Sequence, residues 1–293
     1  MASQSLPPLG PAWAGSLMGT SIAATMTHIH HVPVLPWMLL ALATLIFCAL
    51  VVGFARSRKP GLSPESMGPW SMTAMGIMAL GPAWNGLVSA PSVQFASWIV
   101  GVVLGLYTCF NQLRGFPGKP AFTWGFALVA PMLAATSGGQ LAATYGPWTR
   151  VVSIICFLCA LLLAVPLFVY VYWSRPSLEP AMAGTAWVPL GIVGQSTAAV
   201  HVLFSQSFAD AYGWTFLIIG VPAVVYALFV FGRAILAWAP YSPGWWGSTF
   251  PVGTLSLGTH YMGWDMLSFA FMCLLVFHVV LALTRWGTSS RVA

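Results

Sequence analysis

The sequence predicts an all-α polytopic membrane protein: ten transmembrane helices arranged as five helical hairpins with quasi-five-fold symmetry. Three observations predict this fold class. Only 5% of the 293 residues are charged and 59% are hydrophobic, whereas about a quarter of the residues of a soluble domain are charged. The apolar residues form runs of about 20, the length of a membrane-spanning helix. Alternate runs also begin with a shared motif. We expect a single transmembrane domain over residues 1–293.

The apolar runs are separated by loops that contain proline, glycine or charged residues. The break between the third and fourth runs is only Ala90 and Pro91, where the chain must turn sharply. The predicted spans are 11–28, 33–55, 68–89, 91–113, 120–139, 147–173, 183–203, 211–237, 245–261 and 264–284. The loops between these spans are too short to contain a soluble domain.

The basic residues predict the orientation of the chain. Most of them follow even-numbered spans: Arg56, Arg58, Lys59, Arg114, Lys119, Arg175, Arg285 and Arg291. Arg233 lies near the end of the eighth span. The opposite loops contain Arg150 together with Asp210 and Asp265. The positive-inside rule therefore puts both termini in the cytoplasm of a multi-pass plasma (inner) membrane protein. Since the positive charge lies in membrane loops, we expect membrane lipids as partners and no nucleic acid.

A repeat is present at the starts of the odd-numbered spans. Each begins with glycine or proline and an aromatic residue, at intervals of about 55–60 residues, which suits one helical hairpin per repeat. The aromatic residues are Trp13, Trp70, Phe122 with Trp124, Trp187 and Trp245. The odd spans also contain most of the glycine and hydroxyl residues, and the even spans are more uniformly apolar. We therefore expect an inner ring of odd helices and an outer ring that faces lipid.

The segment from Trp245 to His260 has the most unusual composition. Its paired tryptophans are typical of a membrane–water interface, and Pro251 is expected to bend the helix. Freed backbone groups and hydroxyls at membrane depth are tolerated inside protein or along a wet cavity. After the paired tryptophans, Phe250 is the one large aromatic residue in this segment. The segment is interpreted as a pore wall with Phe250 as the plug; the alternative is a helix-packing face, which small residues also favour.

The candidate pore-lining residues are small, or carry a hydroxyl or an amide. They are Gly19, Thr20, Gly76, Gly81, Thr136, Gly191, Gly194, Gln195, Gly253 and Thr254. The odd spans contain no Asp, Glu or Lys, which argues against a proton antiporter driven by a carboxylate and against a cation pathway. Basic residues at the inner mouth favour anions.

Candidate outer-mouth residues recur about 14–15 positions after the repeat aromatic, at equivalent ends of the inner helices. They are His28, Asn85, His201 and His260. Imidazoles there could gain charge near pH 6 and attract anions; the alternative is interfacial histidines without a shared role. Motifs of soluble enzymes are absent from the sequence, and we expect no enzymatic activity, cofactor or metal.

The first span, PAWAGSLMGTSIAATM, contains Met18, Gly19 and Thr20. The stretch WVPLGIVGQSTAA contains Leu190, Gly191, Gly194, Gln195 and Ser196, and WWGSTFP precedes the ninth span's core. These motifs, with the ten-span repeat, resemble the tellurite-resistance/dicarboxylate transporter family, which includes TehA-like bacterial proteins, malate permeases, sulfite pumps and the plant guard-cell slow anion channel. Two positions depart from the family pattern: Ser21 replaces its usual second glycine, and Pro131 stands where a small polar residue is expected.

The resemblance implies a homotrimer with one pore per protomer, and Phe250 as the residue that occludes it. It also implies transport of a small anion, such as a C4-dicarboxylate like malate, sulfite, tellurite, nitrate or chloride. Our interpretation is a channel-like anion pathway. One alternative is a proton-coupled dicarboxylate or sulfite exporter with histidine as the coupling group. An alternative of another class is a non-conducting membrane sensor or structural protein.

Overall fold

The chain folds into ten α-helices, with no strand within the residues described. The computed structural model describes residues 6–289, so Arg291 lies outside them. The helices are α1 (Ala14–Ile29), α2 (Leu35–Ser57), α3 (Met67–Val88), α4 (Pro91–Gln112), α5 (Gly125–Tyr145), α6 (Pro147–Trp173), α7 (Val188–Leu203), α8 (Gln206–Leu236), α9 (Thr249–Tyr261) and α10 (Asp265–Ser289). The prediction of an all-helical chain is confirmed.

Each odd-numbered helix is preceded directly by a 3₁₀ segment. The spans predicted from the sequence include all or part of four of these segments, whereas Pro64–Ser66 lies before the predicted span 68–89. The five segments are Pro11–Trp13, Pro64–Ser66, Phe122–Trp124, Pro180–Trp187 and Pro243–Ser248. Four of them carry proline at the first or second position, where the fixed φ suits a helix start and the missing N–H costs no hydrogen bond. The tighter 3₁₀ turn lengthens the segment per residue.

The aromatic repeat has a hydrogen-bonding explanation. The indole N–H of Trp13 donates to the Pro7 carbonyl at 3.1 Å, and that of Trp70 donates to the Gly61 carbonyl at 3.0 Å. The corresponding bonds at the third and fifth repeats are Trp124 to Pro117 at 3.0 Å and Trp245 to Pro240 at 3.1 Å. In four of the five repeats, the tryptophan therefore ties the preceding loop to the start of the inner helix.

The paired tryptophans do not face a lipid interface as expected. Trp245 and Trp246 are only 1% and 2% exposed. Besides the bond of Trp245 to Pro240, the indole of Trp246 donates to the Tyr241 hydroxyl at 3.0 Å. The pair is buried because both indole groups are satisfied inside the protein.

The odd-numbered helices form a closed ring, in which α1 contacts α3, α3 contacts α5, α5 contacts α7, α7 contacts α9, and α9 contacts α1. Nearly all of α7 and α9 is buried. The even-numbered helices pack outside the ring and expose large apolar side chains.

In the part of the chain that the structure describes, seven segments are long and apolar enough to cross a membrane, and α1, α3 and α9 are not among them. Their glycine and hydroxyl residues reduce their hydropathy, which a helix surrounded by protein tolerates.

Glycines allow the ring helices to approach closely. At Gly194 a Cβ atom would overlap the backbone of Thr254, and at Gly258 it would lie 2.7 Å from the Gly194 carbonyl oxygen. Pro251 is the third residue of α9, where the N–H it removes has no intrahelical partner in any case. Pro251 therefore lies at the start of the α-helix instead of bending its middle.

We expect Gly194→Leu to destabilise the protein, because the new side chain would collide with the α9 backbone. Overpacking typically costs about 1–3 kcal/mol, and backbone gives way less easily than a side chain. The matched control is Ala41→Leu, on the exposed face of α2. Thermal unfolding and monodispersity in detergent measure the effect; a Gly194→Leu protein that melts with the wild type would contradict this packing.

Candidate functional site

A cavity of about 170 Å³ lies inside the ring and is lined by all five odd-numbered helices. Its lining residues are Ile22, Thr25, Ile29, Ala79, Pro82, Leu133, Thr136, Ser137, Gln140, Gln195, Phe250, Leu257, His260 and Tyr261. Because His260 and Tyr261 end α9, this cavity belongs to the end of the ring that the basic residues predict to be outside. We call it the outer cavity.

A second cavity, of about 300 Å³, lies at the other end, where the inner helices and their 3₁₀ segments begin. We call it the inner cavity. It includes Met72, Phe126 and Gly247, whereas Ala79, Leu133 and Phe250 line the outer cavity. The two cavities share no lining residue. Met72 and Ala79 are seven residues apart on α3, and so are Phe126 and Leu133 on α5. About 10 Å of packed helix therefore separates the two cavities.

Phe250 lies at this boundary. It is 2% exposed and lines the outer cavity, while Gly247, three residues earlier, lines the inner cavity. A benzyl side chain offers neither charge nor hydrogen bond, so it excludes water and ions from the space it fills.

A polar pair lies on the wall of the outer cavity. The Gln195 amide Nε2 donates to the Thr136 hydroxyl at 2.7 Å, and the Gln195 Oε1 atom is buried without a partner among the described residues. Gln195 is fully buried in α7. An amide with an unused acceptor next to a cavity can bond to something that enters it.

The predicted lining residues divide into two groups. Thr136, Gln195 and Phe250 line the outer cavity. The glycines lie instead at helix contacts, where a Cβ would meet another helix: Gly19 at Thr249, Gly76 at Leu17, Gly81 at Ser97, Gly194 at Thr254 and Gly253 at Ile22. A Cβ atom added to Gly191 would lie 3.8 Å from the Pro251 side chain, which is an ordinary van der Waals contact. The side chains of Thr20 and Thr254 are fully buried, and the Thr254 hydroxyl donates to the Pro251 carbonyl at 2.8 Å.

The predicted outer-mouth residues have different partners. His260 lines the outer cavity and lies 3.8 Å from Asp265, and His201 lies 3.4 Å from Asp210. Each protonated imidazole would therefore meet a carboxylate, so the two together add less positive field than free cations would. His28 is exposed.

The fourth predicted mouth residue, Asn85, belongs to a hydrogen-bonded chain of amides that the sequence analysis did not find. The Asn85 amide donates to Gln94 at 2.7 Å, Gln94 donates to Gln140 at 3.0 Å, and Gln140 donates to the Tyr261 hydroxyl at 3.2 Å. The chain links α3, α4, α5 and α9 at the outer cavity. Gln94, a glutamine in an otherwise apolar even span, was the available signal, because a buried amide there needs partners.

His30 was also outside the predicted set. Its Nε2 atom lies 2.8 Å from the Ser268 hydroxyl, and its ring centroid is 6.1 Å from that of His260. Burial lowers the pKa of His30 below its usual value of 6.5, and the nearby His260 lowers it further, while Asp265 acts in the opposite direction.

Residues 6–289 form ten helices, and seven segments among them suit a bilayer span. Five of the helices form a buried ring with a cavity at each end, so this is an integral multi-pass membrane protein. A family model described as voltage-dependent anion channel, SLAC1, matches residues 8–288. The chain therefore belongs to the SLAC1 family, and the resemblance found in the sequence is confirmed. Membership implies an anion channel or transporter, which is not an enzyme class. No curated protein matches the chain.

We expect acidification to destabilise the fold partly through His30. Because its folded-state pKa lies below 6.5, the unfolded chain binds the proton more readily. Stability is then complete above about pH 6.5 and decreases as the pH falls toward the folded-state pKa. His30→Gln keeps a hydrogen-bonding group next to Ser268 and does not titrate.

Melting temperatures in detergent between pH 7.5 and 5.5 measure this loss of stability on acidification. The decrease should be smaller in His30→Gln than in the wild type, and His28→Gln, which removes an exposed imidazole that does not act on His30, serves as the control. Parallel curves for wild type and His30→Gln would refute the assignment.

Proposed function

We propose that this protein conducts small anions through the space enclosed by the odd-numbered helices, and that Phe250 closes the pathway. The observation that carries the proposal is the position of Phe250 between two cavities. The outer cavity is lined by all five odd-numbered helices, and the inner cavity is lined by the 3₁₀ segments that precede them. In this proposal all ten helices cross the plasma (inner) membrane as five hairpins, with both termini cytoplasmic.

Charge supports an anion as the conducted species. The five inner helices contain no Asp, Glu, Lys or Arg, so the pathway lacks the acidic ring that a cation would need. The helices direct their N-terminal ends, which carry the positive end of the helix dipole, to the inner cavity. Glu65 lines that cavity and opposes this field in part.

The lining of the outer cavity also limits the charge of the anion that can pass. Candidate anions are chloride, nitrate, sulfite, tellurite and C4-dicarboxylates such as malate. Since no Lys or Arg lines the outer cavity, no fixed cation offsets the desolvation of a dianion, and that cost increases with charge. The neutral lining therefore favours monovalent anions. We propose a homotrimer with one pathway in each protomer.

A proton-coupled exporter of dicarboxylate or sulfite is the second candidate. One observation favours it: the imidazole of His260, a side chain that can carry a proton, lines the outer cavity next to Asp265. Coupling requires that transport follow the proton gradient, whereas a channel needs only the gradient of the anion. Flux in proteoliposomes with and without a pH gradient distinguishes the two.

Phe250→Ala is expected to increase chloride or nitrate conductance by at least about tenfold, equivalent to lowering a barrier by roughly 1.4 kcal/mol. The physical reason is that truncation joins the two cavities. Proteoliposome flux or planar-bilayer current measures the change.

The matched control is Phe157→Ala, which truncates an equally buried phenylalanine of α6 that packs against Phe204 and Tyr212. Both variants should lose stability, by as much as about 3–5 kcal/mol for a cavity that does not collapse, but only Phe250→Ala should gain current. A destabilised Phe250→Ala with wild-type conductance would show that Phe250 is a core residue.

The Gln195 amide is expected to assist permeation. A turn of the amide by 180° would keep a bond with Thr136, whose hydroxyl would then donate, and would put the NH₂ group where the partnerless Oε1 atom now lies. In a Phe250→Ala background, Gln195→Leu should reduce anion flux by about tenfold, the effect of one lost hydrogen bond of roughly 1.4 kcal/mol. Equal flux with Gln or Leu at this position, in protein of equal yield, would exclude this role.

A further inference from the structure

An apolar groove on the outside of the protein lies between α6 and α8 and reaches the inner helix α7. Its volume is about 370 Å³. Phe168 and Tyr172 of α6 form one wall, Ala223 and Tyr226 of α8 form the other, and Ile192 and Val193 of α7 form the floor. We call it the α6–α8 groove. The inner helix α7 thus forms the floor of a groove between two outer helices.

The groove has the length of one acyl chain. Its lining on α8 extends from Phe216 to Tyr226, which is about 15 Å along a helix axis. The hydrocarbon core of a bilayer is about 30 Å thick, so the groove spans roughly one leaflet. Water is unfavourable in an apolar groove at this depth, whereas a hydrocarbon chain gains dispersion contacts along its length.

The groove is continuous with a polar site at the end of α6. A second cavity, of about 620 Å³, is lined by Val169, Tyr172, Trp173 and Arg175, and the first two residues also line the groove. Trp173 is 86% exposed, as expected of an aromatic side chain at the level of lipid headgroups. The Tyr172 hydroxyl is buried without a hydrogen-bond partner among the described residues.

A second arginine lies at the same end of the groove. Arg233 follows Tyr226 by seven residues, which puts both on one face of α8, two turns apart. Arg233 lines a cavity of about 310 Å³ together with Leu178, three residues after Arg175 in the loop that follows α6. The guanidinium of Arg233 lies 5.4 Å from the centre of the Phe229 ring. Within residues 6–289 neither Arg175 nor Arg233 forms a salt bridge, and Glu179, the acidic residue in the loop between α6 and α7, is exposed and pairs with neither.

We propose that the α6–α8 groove binds an acyl chain of an anionic phospholipid whose phosphate lies between Arg175 and Arg233. The ligand comes from the leaflet in which α6 ends, which is the cytoplasmic leaflet in the predicted topology. Charge complementarity selects an anionic headgroup, because two guanidinium groups without counter-ions attract a lipid that carries net negative charge. The chain would pack against Ile192 and Val193, close in sequence to Gln195 of the outer cavity, so the lipid supports the wall of the proposed pathway.

Native mass spectrometry of the full-length protein tests this directly. The protein is delipidated in a neutral detergent and mixed with equal amounts of palmitoyl-oleoyl phosphatidylglycerol and the matching phosphatidylcholine. We expect at least about tenfold more phosphatidylglycerol adduct, because both arginines favour the anionic headgroup. Equal adducts of the two lipids on the wild-type protein would overturn the proposal without any variant.

Two variants separate headgroup from chain. The Arg175→Gln/Arg233→Gln double variant should lose the preference and bind the two lipids equally. Ala223→Trp fills the groove and should reduce adducts of both lipids. The matched controls are Arg114→Gln, an exposed arginine at the end of α4, and Ala41→Trp on exposed α2; both should keep the wild-type preference. A double variant that keeps the preference, or an Arg114→Gln variant that loses it, would overturn the proposal.

If Ala223→Trp does not fold, photolabelling of the wild-type protein still tests whether the groove binds the acyl chain. Phosphatidylglycerol with a photoreactive diazirine on its acyl chain should label peptides that contain residues 165–172, 189–193 or 216–226. Label found on α2 or α4 alone would contradict the assignment of the groove.

Discussion

The close approach of α7 and α9 is the contact on which the rest of the inner ring depends. Gly194 faces the Thr254 backbone and Gly258 faces the Gly194 carbonyl, so each helix presents a glycine where the other's backbone comes nearest. A methyl group at either position would push the helices apart. This contact fixes α9, and with it Phe250, at the boundary between the outer and inner cavities. Small residues therefore act here by letting the backbones meet, and the cavity wall is made by other side chains.

Much of the fold follows from composition and the repeat. The length of the apolar runs gives the ends of the helices to within about six residues, because the bilayer sets that length. The recurrence of Trp13, Trp70, Trp124 and Trp245 also follows from sequence, but its physical cause does not. Their indole bonds to upstream carbonyls depend on how each loop folds back, and no local pattern encodes that. The 3₁₀ segments were missed for a related reason, since proline and glycine at a helix start suit both helix types.

The candidate site could be predicted only in part. Phe250, Thr136 and Gln195 were identified because an aromatic, a hydroxyl and an amide stand out in apolar helices. The glycines were expected in the lining for their small size, but size does not reveal which side of a helix faces a neighbour. Gln140 and Tyr261 were missed because their bond joins α5 to α9, residues 121 positions apart in the chain. The acidic partners of His201 and His260 likewise come from the starts of the next helices.

Accessibility from each side of the membrane tests the barrier most directly. In a variant without the five native cysteines, Thr25→Cys reports on the outer cavity and Thr123→Cys on the inner cavity. A membrane-impermeant thiol reagent that carries a sulfonate is itself a small anion. If Phe250 is the barrier, Thr25→Cys should react only from outside and Thr123→Cys only from inside, and each should react from both sides once Phe250→Ala is added. Reaction from both sides while Phe250 is present, or one-sided reaction after its truncation, would contradict a barrier at this residue.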